Sequence, residues 1–401
     1  MNEKLKDIVT QAKRCECGHT HHNIPIENIT IATDALEQSA AFMQNKNYRH
    51  ATLIVDSNTL QASGKKMIDH LEKTSIGYSV CMIEPDENGD VKADEVAIVQ
   101  ALLGIPKEAD VLLAIGAGTL HDITRFCSFK MEKPFISIPT APSVDGFTSL
   151  GAPLIVKGFK QTFQTVAPIA LFADTEVLRA APKEMIAAGF GDMIAKFTSL
   201  ADWKFGVVMA DEPYCPLVEK LTKNALELCI VNKDNIAAGN EKGIAALIEG
   251  LIISGIAMLI FGQSHPASGG EHHMSHYWEM AFLKEKRPQV LHGAKVAVST
   301  PLLAQLYKEE MQAILMASNQ VENVFMRKKL KDNQEDIKAI LNNIPAPDFF
   351  ENLAERIGGI STTMGLGIDD ELVVGGMTEA YKLRDRFTML RFLNEELWSG
   401  Q

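Results

Sequence analysis

The sequence predicts an α/β domain followed by an all-helical domain, and three observations carry that expectation. Short apolar runs alternate with helical stretches from about residue 50 to Ala173, the pattern of a parallel sheet with helices on both faces. Strand signals stop after Asp174, and segments of helical period follow. The chain of 401 residues, 46% hydrophobic and 22% charged, holds enough apolar material for two cores. We therefore expect one domain over residues 1–180 and a second over 181–401.

The elements follow in order. Ala51 to Asp56 is an apolar run ending in an acid, read as a buried parallel strand, with a helix to about Lys73. Tyr78 to Ile83 is the next strand and Ala93 to Leu103 the next helix. Asp110 to Gly116 and Phe135 to Pro139 are two further strands, and Leu154 to Val156 and Ile169 to Ala173 two more. Beyond Asp174, helices are expected over 176–202, 217–238, 244–261, 271–284, 294–316 and 321–341. The most apolar of them, Ile244 to Phe261, is interrupted by Glu249, Gly250, Ser254 and Gly255 and reads as a buried helix, not a membrane span.

Composition narrows the function classes. A formal net charge of −12 argues against a nucleic-acid partner, which requires a basic surface. Met1 to Asp7 is charged, without the apolar run of a signal peptide. Six scattered cysteines make no disulfide framework and fit a reducing cytoplasm. Cys15, Cys17, His19, His21 and His22 crowd one stretch, but the spacing is not that of a zinc finger and no second pair closes a tetrahedron. The expectation there is a mobile arm that binds metal only adventitiously.

Two loops suggest a nucleotide. The strand ending at Gly116 runs into Ala117-Gly118-Thr119-Leu120-His121-Asp122. A glycine-rich turn opening a helix lets backbone N–H groups approach a pyrophosphate. The usual Rossmann fingerprint is incomplete, because His121 stands where its third glycine belongs, so a plain tight turn stays open. The second loop, Thr140-Ala141-Pro142-Ser143-Val144-Asp145-Gly146-Phe147-Thr148-Ser149, is a stiff ledge rich in hydroxyls. Asp56, closing its strand, is placed either to accept hydrogen bonds from a ribose diol, favouring NAD over NADP, or to cap the next helix.

A histidine-rich stretch suggests a metal. Gly269-Gly270-Glu271-His272-His273-Met274-Ser275-His276 is followed by His292-Gly293-Ala294-Lys295. His272 and His276 lie one turn apart on a helical face, whereas His273 points about 100° away and is not expected to be a ligand. Such a pair also occurs on solvated helices, and the third histidine and an upstream carboxylate favour the metal.

Taken together, Gly118-Thr119 with Asp122, Pro139-Thr140-Ala141-Pro142-Ser143-Val144-Asp145-Gly146, Gly189-Phe190-Gly191-Asp192, His272 with His276, and His292-Gly293 resemble the superfamily of iron-dependent alcohol dehydrogenases and dehydroquinate synthases. Within it the chain is most similar to the glycerol-1-phosphate dehydrogenase family in its bacterial branch, from about residue 25 to 390. The resemblance implies a Rossmann-like NAD-binding domain, an all-α domain and an active site in the cleft between them. It implies reversible reduction of dihydroxyacetone phosphate to sn-glycerol 1-phosphate by NADH or NADPH. It assigns Asp192, His272 and His292 to a divalent metal, and Asp145, Asp192 and His276 to substrate, with Asp192 and His276 catalytic. It assigns Asp56, Gly118, Thr119, Leu120, His121, Asp122, Thr140, Ala141, Pro142, Ser143 and Ser149 to the nucleotide.

Nitrogen and oxygen ligands without thiolate suit Zn, Ni, Co or Fe(II), with Ni and Zn the expected ions. The metal would polarise the carbonyl, and a proton would reach the product through His276 or water. Lys196, Arg287 and Lys295 are candidates for the substrate phosphate. A homodimer is expected for an enzyme of this build. The alternatives are a glycerol or other polyol dehydrogenase on the same scaffold, and a dehydroquinate synthase-like lyase.

Overall fold

The computed structural model describes residues 1–398, so residues 399–401 at the end of the expected second domain lie outside the described residues. Among the described residues eight strands form: β1 (Asn28–Ala32), β2 (His50–Val55), β3 (Gly77–Met82), β4 (Val111–Gly116), β5 (Phe135–Pro139), β6 (Gly151–Val156), β7 (Phe159–Gln164) and β8 (Ala170–Asp174). Six make one parallel sheet in the order β1-β8-β5-β4-β2-β3. Alternation along the strands splits its core into two faces. Leu53, Val55, Val111, Leu113 and Ile115 pack with Met67 and Leu71 of the helix Lys65–Leu71. Ile54, Leu112 and Ala114 pack on the other face with Ile123 and Cys127 of the helix Gly118–Met131.

The helices leaving β2 and β4 thus cover opposite faces, although β2 and β4 are hydrogen-bonded neighbours. Their carboxyl ends flank the crevice where an open α/β sheet takes its ligand. Among the described residues, every regular element after β8 is helical, as expected from the loss of strand signals. The helix Glu241–Phe261 is long and apolar enough to cross a membrane by length and composition, but most of its apolar window is buried inside this fold.

Several expectations change, and among them the helices expected over 217–238 and 321–341 each divide in two, at Asn232 and at Asn333. β1 was not foreseen; it is a short edge strand beside β8, with register Ile29 to Leu171. Leu154 to Val156 belongs not to the parallel sheet but to the antiparallel hairpin β6–β7. The expected helix over 176–202 is three helices, Thr175–Arg179, Lys183–Ile194 and Lys196–Ala210, since Pro182 cannot continue the first. The N-terminal arm is not loose: the helix Asn2–Lys13 buries Leu5 and Ile8 in the helical core, and His22 N–H donates to Ile260 O at 2.9 Å.

One helix crossing positions the site. Helix Lys183–Ile194 meets helix His292–Leu306 through Ala188, Gly191 and Gly293. A Cβ on Gly293 would fall 1.9 Å from Ala188 O, and one on Gly191 would fall 2.5 Å from Gly293 O. Only glycines let the backbones come this close, and the approach carries His292 towards Asp192. Gly293→Ala is therefore expected to destabilise the fold by about 1–3 kcal/mol, the usual cost of overpacking. Thermal unfolding checks this; an unchanged melting temperature would mean the helices can separate freely.

Candidate metal and nucleotide site

Asp192, on the third turn of its helix, is 0% exposed. Its Oδ2 accepts the backbone N–H of Asp145 at 3.0 Å, and its Oδ1 accepts from Lys196 Nζ at 3.0 Å. Lys196, also 0% exposed, lies 2.8 Å from Asp145 Oδ2 and donates to Ala267 O. Asp145 also accepts from Ser254 Oγ at 2.8 Å. Burial opposes ionisation of Asp192, but Lys196 and His272 outweigh it and hold the carboxyl far below its usual range. Burial likewise opposes the Lys196 charge, and Asp145 and Asp192 hold it above the usual lysine range.

His272 stands in the first turn of the helix Gly270–Lys284. Its Nδ1 lies 2.7 Å from Glu271 Oε1, an acceptor that also takes the Gly269 N–H, while Thr198 Oγ1 donates to Glu271 Oε2. A ring N–H must sit on Nδ1, so the Nε2 lone pair faces Asp192 Oδ1 at 3.4 Å. A lone pair and a carboxylate oxygen at that distance require a cation between them, either a proton or a metal ion. Burial works against protonation of His272, but Asp192 and Glu271 raise its pKa above the ordinary value. His292 completes the group: ligand atoms of Asp192, His272 and His292 all lie within 4.8 Å of one another. In a tetrahedral site with bonds of about 2.0–2.1 Å, adjacent donor atoms stand about 3.3 Å apart, so these residues fit a divalent ion with an open position.

His276 lies one turn on, its ring stacked on His292 at 5.4 Å between centroids. Its Nδ1 is 3.5 Å from Glu279 Oε2. Burial, followed by the field of Lys160, keeps His276 neutral. Glu279 is held ionised against burial by Lys160 and Lys295, whose ammonium groups lie 2.8 and 3.4 Å away. His276, Glu279 and His292 form a second compact trio. Glu279 already faces two ammonium groups, whereas Glu271 orients His272 towards Asp192, and we assign the ion to the first trio.

These groups open on one cavity of about 660 Å³. Its wall includes Gly118, Thr119, Asp122, Ser143, Asp145, Ser149, Asp192, His272, His276 and His292. The structure thus brings together ten residues expected from sequence, with the N-terminus of helix Gly118–Met131 on the same cavity as the ligand trio. Others lie off the wall. Leu120 and His121 are buried beneath the loop, where His121 Nε2 bonds Ser137 Oγ at 2.7 Å. Thr140, Ala141 and Pro142 are buried behind Ser143, with Pro142 O against Gly189. Asp56 follows the end of β2, and its Oδ1 caps the next helix by accepting Thr59 N–H at 2.7 Å.

The cations are arranged differently from the sequence expectation. Lys196 is committed to two buried carboxylates. Arg287 donates to Gly367 O and stacks over Phe282 at 3.7 Å, off the cavity wall. Lys295 does line it, joined by Lys160 of β7, Arg384 and Arg386, none of which sequence reading singled out. Burial alone lowers the Arg384 pKa from its ordinary value. Burial also brings Lys295 down to about 8, against the opposing pull of Glu279. The orienting role of Glu271 was missed too, though its place beside His272 was the available signal.

Comparison with known proteins bears on the family and the fold. Residues 30–182 match the family described as iron-containing alcohol dehydrogenase. A glycerol-1-phosphate dehydrogenase (NAD(P)+) of Geobacillus stearothermophilus is 52% identical over 402 residues, covering 98% of this chain and 99% of the relative. One from Geobacillus thermodenitrificans is also 52% identical, over 98% of both chains. Among solved structures, the NADH-dependent butanol dehydrogenase A of Thermotoga maritima superposes with a TM-score of 0.65 at 14% identity, over 93% of this chain and 94% of that one. At that identity the likeness bears on the fold.

Two outcomes follow from the geometry. His272→Ala and His292→Ala should each lose the divalent ion that this trio would hold, whereas His276→Ala should retain it and lose turnover by roughly 10²-fold or more; metal content relative to the unsubstituted protein, beside steady-state kinetics, checks both. Since protons and metal compete for His272 Nε2, affinity for zinc should fall as the pH is lowered from about 8 to about 6. Calorimetric titration of metal-free protein measures it, and a flat profile would remove His272 from the ligand set.

Proposed function

The chain belongs to the glycerol-1-phosphate dehydrogenase family, within the iron-containing alcohol dehydrogenases, and from that premise we propose that it reversibly transfers hydride between NAD(P)H and dihydroxyacetone phosphate. The product on this reading is sn-glycerol 1-phosphate. The observation that carries the proposal is the convergence of Asp192, His272 and His292 on the cavity that also receives the N-terminus of helix Gly118–Met131. We divide the chain into a nucleotide-binding domain over 1–180 and a metal- and substrate-binding domain over 181–401. The ribose contact of Asp56 and the expectation of a cytoplasmic homodimer belong to the same reading.

When bound, a divalent ion such as Ni or Zn would supply a Lewis acid at the carbonyl oxygen, and the nicotinamide would supply the hydride. The chain's own residues do the rest. Gly118 and Thr119 present backbone donors to the pyrophosphate, and Ser143 and Ser149 line the same wall. Asp145, anchored by Ser254 and Lys196, is fixed beside Asp192 to orient the substrate hydroxyl. His276, kept neutral, carries the proton, and Glu279 steadies the protonated ring. Lys160, Lys295 and Arg384 give the cavity the positive end that a phosphate monoester requires.

The deciding experiment follows NADH oxidation with dihydroxyacetone phosphate after chelation and re-addition of single metals, with chiral analysis of the product. Activity should vanish on chelation and return with Ni or Zn. Arg384→Ala should raise KM for dihydroxyacetone phosphate more than tenfold while leaving that for NADH nearly unchanged. Turnover of unphosphorylated dihydroxyacetone with equal efficiency would replace this reading with a polyol dehydrogenase. Substrate turnover without net NADH change would point to a lyase.

A further inference from the structure

We propose that Cys15, Cys17, His21 and Cys215 form a second metal site, a closed structural zinc centre that fastens the N-terminal arm to the helical region. One ligand atom from each of the four lies within 4.8 Å of the other three. Cys15 Sγ and Cys215 Sγ are 3.7 Å apart, and His21 Nε2 is 3.3 Å from both Cys17 Sγ and Cys215 Sγ. A tetrahedron with Zn–S bonds of about 2.3 Å and a Zn–N bond of about 2.0 Å has S···S edges of about 3.8 Å and S···N edges of about 3.5 Å. The spacing matches that figure, and it is far from the bond length of about 2.05 Å in a disulfide.

The surroundings prepare these atoms for an ion. His21 Nδ1 lies 3.1 Å from Ala12 O, which accepts only from an N–H. The proton therefore sits on Nδ1, and the Nε2 lone pair is aimed among the three sulfurs, the arrangement of a metal-bound imidazole with its partner. Gly18, at φ 80°, turns the chain back after Cys17 so that His21 reaches the same point. Cys215 is the N-cap of helix Pro216–Val231, where Pro216 fixes the entry of the chain. The neighbouring histidine is committed elsewhere: His19 Nε2 is 2.9 Å from Phe261 O and its ring stacks on Phe261 at 4.3 Å. Four protein ligands leave no open position, which marks a structural site. The three thiols release their protons on binding. The site was not legible in the sequence because its fourth ligand lies 200 residues away.

The arm held in this way runs along the end of helix Glu241–Phe261, whose Ser254 anchors Asp145. His22 of the arm packs against Gly262, which lines the cavity, so the centre braces that wall from behind.

The test uses the full chain and cobalt as the probe. In the His272→Ala/His292→Ala variant, which removes the other metal site, protein isolated under reducing conditions should hold about one zinc ion per chain. Replacing that zinc by cobalt should give a thiolate-to-cobalt charge-transfer band. Adding Cys17→Ser and Cys215→Ser should abolish band and zinc together and lower the melting temperature. A double-histidine variant that folds but binds no zinc and shows no thiolate band would overturn the proposal, whether or not the cysteine variants fold. A Cys15–Cys215 disulfide in protein isolated under reducing conditions would overturn it as well.

Discussion

Asp192 is a carboxylate wholly removed from water, and the active region is built around compensating it. An unpaired buried charge costs several kcal/mol. Here the compensation comes from three separate parts of the chain: Lys196 one turn along, the Asp145 N–H from the loop after β5, and the His272 ring. Lys196 is a sequence neighbour at i,i+4, whereas the Asp145 N–H and the His272 ring reach Asp192 only through the tertiary fold, in which helix Lys183–Ile194 also docks against His292–Leu306. The glycines at 191 and 293 set how close that docking is. Lys196 then ties Asp192 to Asp145, so the loop after β5 and the helix Lys183–Ile194 share one cation. Charge balance thereby joins the α/β sheet to the helical region at the point where chemistry is expected.

Much of this was readable from the chain because parallel strands buried on both faces appear as unbroken apolar runs. β2, β4, β5 and β8 all fall where those runs predict. β1 escaped because Asn28-Ile-Thr-Ile-Ala is short and half polar, as an edge strand is free to be. The meeting of Asp192, His272 and His292 was expected from their order in the family motifs, and the fold does bring their ligand atoms within 4.8 Å of one another. The supports of this trio were not foreseen, since Glu279, Lys160 and Arg384 gain their roles only when a hairpin, a helix face and a late loop meet. Lys196 shows the opposite error. Its helical spacing from Asp192 was read correctly, but whether it faced a ligand or a buried acid depended on Asp145, which only the fold brings near.

Net charge also proved a poor guide to local field. A chain of formal charge −12 gathers Lys160, Lys295, Arg384 and Arg386 on one cavity wall. The same wall carries Asp122, Asp145, Asp192 and Glu279, so these cations form a local patch within a cavity of mixed charge. Glu279 pairs with two of these ammonium groups and lies 3.5 Å from His276 Nδ1.

The docking of Cys15 beside Cys215 has a bearing on biosynthesis. At about 5–20 residues per second, a ribosome needs roughly 10–40 s to make the 200 residues that separate them. For that interval the first helix has emerged while the surface it covers does not yet exist. β1 waits similarly for β8. The amino end of the nascent polypeptide is therefore among the last parts to settle, and it closes over helices that were translated long after it.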